Sequence, residues 1–285
     1  KRLFPNLTNA EDSYGVASET SDGFTTVTTL GDINNNGDTY AAWQWKANGG
    51  TTASNTSGSI TSTVQANTDA GFSIVTYTGT GSTATVGHGL GVAPKIIIGK
   101  RRNATNNWWV GGSILTSAQT LYLNLTNAID NVGEAGIFNV TTSTTFKLGT
   151  DTNRNAFSGT HLAYCFAEIQ GYSKFGKYVG NGTSGIDGTF IYTGFKPAFV
   201  LTKRANSVDN WVIYDNKRDS HNVVENYLLP NTAGAEGTFA NWDFVSNGFK
   251  SRTGNSQGAS GITFIYMAFA ENPFVTSTGI MGTAR

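Results

Sequence analysis

The chain has 285 residues, and its 19 basic and 19 acidic side chains give a formal net charge of zero. This balance excludes a general attraction to nucleic acids or anionic membranes, because both need a basic surface. The single cysteine, Cys165, excludes an internal disulfide, and no apolar run approaches the roughly 18 residues of a membrane-spanning helix. We therefore expect no nucleic-acid partner and no membrane insertion. The first residue is Lys1, which indicates processing or the C-terminal part of a longer protein.

The predicted elements begin with residues 1–50, which match only the second half of a unit that recurs downstream. The stretch "LFPNLTNAEDSYG" at 3–15 resembles "LYLNLTNAIDNVG" at 121–133. "GDTYAAWQWKA" at 37–47 occupies the place of "GTHLAYCFAEI", which ends the next unit. Residues 1–50 are therefore predicted to be a half unit, whose open strand edges would be completed by upstream residues or by a neighbouring chain.

A segment rich in Gly, Ser, Thr and Asn follows at residues 51–70, and it contains almost no large apolar residue. Such a composition is typical of a flexible linker. We therefore predict that residues 51–70 connect the half unit to the first whole unit.

A repeat then fills most of the remaining chain. "APKIIIGKRRNATNNWW" at 93–109 recurs as "KPAFVLTKRANSVDNWV" at 196–212. The shift of 103 residues that places Pro94 on Pro197 aligns six identical residues between positions 94 and 108. A repeat of this length indicates tandem copies of one building block. The predicted divisions are a whole unit at 71–173, a second at 174–275 and a tail at 276–285.

Within each unit the hydrophobic periodicity is that of β-strands. Short runs rich in β-branched and aromatic residues, such as "KIIIG" and "GITFIYMAFAE", are separated by Gly, Asn, Asp and Ser clusters. About seven such strands in roughly a hundred residues fit two packed sheets. The predicted fold class is all-β, with tandem antiparallel β-sandwiches and a half repeat at the N-terminus. The best helix candidate is "SHNVVENYLLP" at 220–230, which Pro230 would end.

A turn at residues 31–38, "GDINNNGD", places side-chain oxygens at Asp32, Asn34 and Asn36. This order resembles the opening of a calcium-binding loop, although the twelfth position, Trp43, lacks the usual glutamate. Asp and Asn also form ordinary turns by bonding their own backbone. An ordinary turn is the favoured interpretation, and calcium is the one cofactor that the sequence offers as a candidate.

The tryptophans lie in or beside strand-like stretches, where such residues fill a core or stack on sugars. Trp108 and Trp211 are equivalent in the repeat, which favours the core for that pair. Adjacent residues of a strand point to opposite faces, so Trp109 is expected to face outward. Trp109 and Trp242 are therefore the candidate ligand-binding residues.

Two pairs of basic residues, Lys100 with Arg101 and Lys203 with Arg204, end a strand in both units. A charge that recurs at the same strand end points to architecture rather than to a ligand. We predict that these four side chains make contacts between units or between subunits.

The sequence contains no recognisable catalytic constellation. His88, His161 and His221 fall at non-equivalent positions in the repeat, without metal-ligand spacing. A carboxylate pair such as Asp215 and Asp219 could serve a glycosidase only across a cleft, which the sequence does not identify. We therefore expect a protein without enzymatic activity.

Four fragments, "GHGLGVAPKIIIGKRR", "LYLNLTNA", "NNNGDTYAAWQWKANGG" and "AFAENPF", resemble the repeat module at the C-terminal end of tail-fibre-like structural proteins of marine tailed bacteriophages. That module tends to follow a laminin-G or concanavalin-type lectin domain and has no defined catalytic motif. The resemblance implies a noncatalytic structural protein of the tail-fibre or spike kind on the virion surface.

The same resemblance implies a homo-oligomer, trimeric by analogy, that contacts other virion proteins and host-surface polysaccharide. Two alternatives stay open at this point. One is a capsid decoration protein of the head-fibre or cement kind, and the other is a polysaccharide depolymerase.

Overall fold

The computed structural model describes residues 1–13, 17–20, 23–26, 31–48, 50–133 and 140–273, apart from the side chains at positions 17, 19, 32, 186 and 240. Its helices are short: α1 (Gly31–Asn34), α2 (Thr152–Asn155) and 3-10 turns at Gly185–Asp187 and Ser256–Gly258. None of the helices within these ranges has the length and apolar character needed to cross a membrane. Two short strands, β1 (Ala17–Glu19) and β2 (Phe24–Thr26), form an antiparallel pair.

Ten further strands build the first half of the structure. They are β3 (Ala53–Asn55), β4 (Ser62–Asn67), β5 (Phe72–Thr78), β6 (Ala84–Gly87), β7 (Ile96–Arg101), β8 (Trp109–Gly111), β9 (Gln119–Tyr122), β10 (Asp130–Asn131), β11 (Thr145–Leu148) and β12 (Thr160–Phe166). Eight of them form the first sheet, in the order β10-β9-β8-β7-β12-β5-β4-β3, and β6 pairs with β11. Apolar side chains of the sheet and of the β6–β11 pair, including Val75, Trp109 and Phe146, form one buried core.

The second sheet also has eight strands. They are β13 (Ser173–Val179), β14 (Phe190–Tyr192), β15 (Pro197–Arg204), β16 (Val212–Asp215), β17 (Val224–Leu228), β18 (Gly237–Val245), β19 (Gly248–Ser251) and β20 (Thr263–Ala270). Their order is β13-β20-β15-β16-β17-β18-β19-β14, and a second buried core contains Trp242, Phe249 and Phe264. All named strand pairs are antiparallel, so the prediction of an all-β fold with antiparallel sheets is confirmed.

The two sheets share a pairing order around one strand. β12 lies between β5 and β7, and β20 lies between β13 and β15. Ile96 pairs with Phe166 in the first sheet, and Phe199 pairs with Phe269 in the second. The two pairs are related by 103 residues (199 − 96 and 269 − 166), the shift that relates Pro94 to Pro197.

A third core joins the two sheets. The first sheet contributes Phe72, Ile98 and Phe166, and the second contributes Leu201, Met267 and Phe269. Trp43 and Trp45 from the N-terminal region also lie against this core. Each sheet therefore buries one face in this shared apolar core, against the facing side of the other sheet.

Residues 51–70, predicted to be a linker, instead contribute β3 and β4 at the edge of the first sheet. Val64 pairs with Val75, and both side chains are buried. The Ser62 hydroxyl, also buried, donates to the Gly87 carbonyl at 2.7 Å. Backbone pairing needs no large apolar side chains once a neighbouring strand is in place, and for this reason composition alone misled the prediction.

The helix predicted at 220–230 is likewise wrong, because Val224–Leu228 forms β17 between β16 and β18. Val224 pairs with Trp242 on β18 and is buried in the second core. Tertiary pairing decided the conformation of a segment whose local pattern is short and ambiguous.

Candidate functional site

Residues 1–13 lie across the end of β7 and the loop that follows it. The Lys100 ammonium donates to the Thr8 carbonyl at 3.0 Å, and the Trp108 indole N–H donates to the Phe4 carbonyl at 2.8 Å. Two backbone bonds complete the contact, from Asn106 N–H to the Thr8 carbonyl and from Glu11 N–H to the Arg102 carbonyl. We call this contact the first clip.

A second clip holds residues 121–129 on the end of β15. The Lys203 ammonium donates to the Thr126 carbonyl at 3.2 Å, and the Trp211 indole N–H donates to the Tyr122 carbonyl at 2.8 Å. Two backbone bonds again complete the contact, from Asp209 N–H to the Thr126 carbonyl and from Ile129 N–H to the Ala205 carbonyl. The two clips therefore contain the same four kinds of hydrogen bond.

Asparagine side chains position the tryptophans of both clips. The Trp108 backbone N–H donates to Asn124 Oδ1 at 2.8 Å, and Asn124 Nδ2 donates to Asn107 Oδ1 at 2.8 Å. In the second clip, the Trp211 backbone N–H donates to Asn231 Oδ1 at 3.0 Å. Buried amides with satisfied donors and acceptors fix the backbone from which each indole projects.

The two clip lysines are fully buried, and their ammonium groups are surrounded by backbone carbonyls. Lys100 Nζ also donates to the Arg101 and Ala104 carbonyls, and Lys203 Nζ donates to the Arg204 carbonyl. Burial lowers the pKa of each lysine to about 8, and the adjacent arginine acts in the same direction. Several carbonyl acceptors supply hydrogen bonds that partly replace lost hydration.

The four basic residues predicted at inter-unit contacts divide into two groups. Lys100 and Lys203 reach segments 92 and 77 residues away along the chain. Arg101 instead bonds Asn103, and Arg204 pairs with Asp209 and donates to the Ser256 carbonyl.

The acceptor residues of the clips were not among the predicted site residues. Phe4, Thr8, Tyr122 and Thr126 accept through backbone carbonyls, which leave no side-chain signature. The signal that could have found them is the recurrence of "LFPNLTNA" at 3–10 as "LYLNLTNA" at 121–128.

Trp109 and Trp242, predicted to bind a ligand, are both 0 % exposed. The Arg154 guanidinium lies 5.7 Å from the Trp109 ring, and Phe249 packs edge-on against Trp242 at 4.9 Å. Trp108 and Trp109 do belong to different cores, as strand alternation requires. The predicted outward position of Trp109 was wrong because both faces of the first sheet are covered.

Two of the three histidines are buried. His88 Nδ1 accepts from the Leu90 N–H, and its Nε2 bonds the Thr142 carbonyl at 3.2 Å; burial lowers the pKa of His88. His161 stacks on Tyr77 with ring centroids 5.1 Å apart, and burial lowers its pKa to about 4. His221 is exposed and bonds the Ser220 hydroxyl.

The calcium candidates lie in α1, which contains Asp32 and Asn34, and in the exposed turn after it, which contains Asn36. Asn34 and Asn36 are exposed, while Asn35 Nδ2 donates to Asp38 at 2.9 Å, as in an ordinary polar turn. The Asp32 side chain lies outside the described residues. Within the part of the chain that the structure describes, no group of three or more His, Cys, Asp or Glu side chains could hold a metal ion.

One cleft of about 280 Å³ opens beside the second clip, and we call it the β17 cleft. Its wall combines Tyr227 and the half-exposed Phe239 ring with the amides of Asn241 and Gln257. Asn241 is buried and its Nδ2 donates to the Tyr214 hydroxyl, whereas its Oδ1 accepts no hydrogen bond among the described residues. An aromatic face beside a free amide oxygen suits a ligand that carries hydroxyl groups.

A second cleft of about 290 Å³ lies next to the first clip, between residues 1–11 and the first sheet. Its wall contains Trp108 and Tyr164 beside the Arg102–Glu11 ion pair, which is 2.6 Å long. Both charged groups are already paired with each other. The packing of the N-terminal segment against the first sheet therefore accounts for this cleft.

Comparison with known proteins gives one family. A family model described as a domain of unknown function, DUF7483, matches residues 1–273. The comparisons with curated proteins and with solved structures find no match.

Proposed function

We propose that this chain, which belongs to the DUF7483 family, is a noncatalytic structural protein of tandem β-sandwich units in a bacteriophage virion, of the tail-fibre or spike kind. The location in a virion is proposed from the resemblance of the four sequence fragments. The observation that carries the structural role is the recurrence of the clip. A contact that is built twice from buried backbone and indole hydrogen bonds serves to fix neighbouring units rigidly.

The positions of the clip residues support the tandem arrangement. Lys203 and Trp211 follow Lys100 and Trp108 by 103 residues, and their acceptors Thr126 and Tyr122 follow Thr8 and Phe4 by 118. Each clip therefore joins a segment assigned to one unit to the strand end of the next unit. The shared pairing order around β12 and β20 supports the same division.

The engagement of the acidic residues supports a structural role over a depolymerase. Asp215 accepts from the Arg218 guanidinium at 2.7 Å, from two backbone N–H groups and from the Trp43 indole. Asp219 accepts from the backbone N–H groups of Glu225 and Asn226. Carboxylates held in this way stabilise turns and are poorly placed to exchange a proton with a substrate.

We further propose that the β17 cleft contacts host-surface glycans. Sugars combine hydroxyl groups with apolar ring faces, which match the Asn241 amide and the Phe239 and Tyr227 rings. The test is binding of the full chain to bacterial surface polysaccharides, for wild type and Phe239→Ser. Phe157→Ser is the matched control, because Phe157 is 80 % exposed and lies outside the cleft.

Loss of binding in Phe239→Ser alone supports the glycan contact, and equal binding by all three proteins overturns it. Release of oligosaccharides from the polysaccharide would instead establish the depolymerase.

Labelling intact virions with an antibody to this chain tests the structural role by electron microscopy. Label on the tail supports the fibre or spike, label on the head establishes capsid decoration, and unlabelled virions overturn the proposal. A mass measurement at micromolar concentration that finds only monomer would exclude the trimer.

A further inference from the structure

Residues 41–47 form an extended segment whose side chains alternate between core and solvent. Trp43, Trp45 and Ala47 are half-buried against the core between the sheets, whereas residues 41, 42, 44 and 46 are exposed. In the described part of the chain, no strand pairs with this segment. Alternation of this kind is typical of a strand with one covered face.

Residues 41–47 correspond to parts of β12 and β20 but, within the described ranges, lack the neighbouring strands that β12 and β20 have. "AAWQW", "LAYCF" and "IYMAF" end at Trp45, Phe166 and Phe269, and these three rings meet with centroids 5.4–6.1 Å apart. Phe166 and Phe269 lie on β12 and β20, each of which pairs with a strand on both sides. Residues 41–47 occupy the third position around these rings without either neighbouring strand.

A third copy of the clip acceptor lies on the second sheet. The turn bonds Leu7 N–H to Phe4 and Leu125 N–H to Tyr122 recur as Thr232 N–H to the Leu229 carbonyl, at 3.1 Å. The carbonyls of Phe4 and Tyr122 also accept an indole N–H.

The third acceptor is open in the described structure. The Leu229 carbonyl accepts only from Thr232 among the described residues. The chain that follows, residues 233–236, is exposed, although the aligned Thr126 and Thr8 carbonyls each accept from a lysine.

We infer that residues 41–47 and 229–236 together form a docking site for one further half unit, a polypeptide segment of the kind seen at residues 71–118. Its β5-like and β7-like strands would flank residues 41–47, and its Lys-Arg strand end and tryptophan would bind residues 229–236. This inference rests on the proposed tandem units. Three complete units then surround the Trp45, Phe166 and Phe269 rings.

The position of Trp43 shows that the two parts of the site belong together. Its indole N–H donates to Asp215 Oδ2 at 3.3 Å, and Arg218 lies over its ring at 5.7 Å. Residues 41–47 are thus held against β16, and β17, which leads into residues 229–236, is the next strand of the sheet. One half unit can contact both parts in the way that β5 to β8 contact β12 and residues 1–13.

The experiment is a fusion in which a copy of residues 71–118 precedes Lys1 of the full chain, since Leu3 aligns with Leu121. Hydrogen exchange is measured on the fusion and on the unmodified chain. We expect amides of residues 41–47 and 229–236 to exchange at least about tenfold more slowly in the fusion. A control fusion carries Lys100→Met and Trp108→Phe in the added copy only. It should keep the protection at 41–47 and lose most of it at 229–236.

Unchanged exchange at residues 41–47 in the fusion overturns the inference, whether or not the added copy folds. Protection of this segment in the unmodified chain that rises with protein concentration assigns the site to a second copy and also overturns it. Neither result depends on virion labelling. The hydrogen-exchange experiment therefore tests the docking site, and virion labelling tests the proposed location in the virion.

Discussion

Gly99 lies directly beneath the Trp109 ring, so that a Cβ built on Gly99 would stand 2.1 Å from Trp109 Cζ2. The two residues face each other across β7 and β8. The pair related by 103 residues is Thr202 and Val212, where a smaller partner leaves room for a side chain. The sizes of the two residues are thus matched within each sheet.

This matching predicts a coupled pair of substitutions. Gly99→Ala should destabilise the fold by about 1–3 kcal/mol, because the added methyl group overpacks the core of the first sheet. In the double variant Gly99→Ala/Trp109→Val, the destabilisation should be at least about 1 kcal/mol smaller than the sum of the single changes. Urea denaturation of the four proteins measures the coupling, and additive effects would contradict the steric account.

Acid should destabilise the protein through His161. An ordinary histidine has a pKa of 6.5, and burial lowers that of His161 to about 4, with Arg101 acting in the same direction. Between these values the unfolded chain binds a proton that the folded chain does not. Stability should therefore fall as the pH drops from 6.5 to 4, by at most about 1.4 kcal/mol per pH unit from this group.

His161→Phe should weaken this acid dependence. Phe264 holds the corresponding place in the second sheet and stacks on Tyr178 at 4.8 Å, as His161 stacks on Tyr77. Urea melts at pH 7 and pH 5 compare the variant with wild type, and exposed His221→Gln serves as the control. An unchanged acid dependence in His161→Phe would rule out His161 as its source. His88 should keep part of the dependence in every variant, because burial lowers its pKa as well.

Each clip tryptophan should stabilise its own clip and leave the other clip unchanged. Trp108→Phe keeps most of the ring but removes the indole donor to Phe4, which should cost about 1 kcal/mol. We expect faster hydrogen exchange at the Glu11 amide, which belongs to the first clip, and unchanged exchange at Ile129. Trp211→Phe should give the reverse pattern, so the two variants control each other. Equal effects at both amides would show that the clips do not act as separate contacts.

Cys165 should be inert in the folded protein. Its thiol is fully buried on β12, and burial raises its pKa to about 12. At pH 8 we expect labelling by a disulfide reagent at least about a hundredfold slower than in urea, because the thiolate is the reactive form. Rapid labelling without denaturant would mean that β12 opens readily to solvent.

The site could be predicted only where it uses side chains. Lys100 and Lys203 stand out because a charge recurs at a strand end. Their acceptors, the Thr8 and Thr126 carbonyls, carry no side-chain signature and are marked only by the repeated "LTNA" around them. The β17 cleft was not foreseen either. In the second sheet, Val212 occupies the position that Trp109 has in the first. The smaller side chain leaves a cavity there only when the neighbouring strands are in position.

The sequence by itself determined the all-β class and the buried positions of Trp108 and Trp211, because strand periodicity and a repeated aromatic residue are local properties of the chain. The tertiary structure alone decided that residues 51–70 extend a sheet, that Trp109 and Trp242 are covered, and that two lysines lie buried among carbonyls. These outcomes depend on which surfaces meet. Burial and hydrogen bonding are completed by segments distant in the chain, whose approach no local pattern encodes.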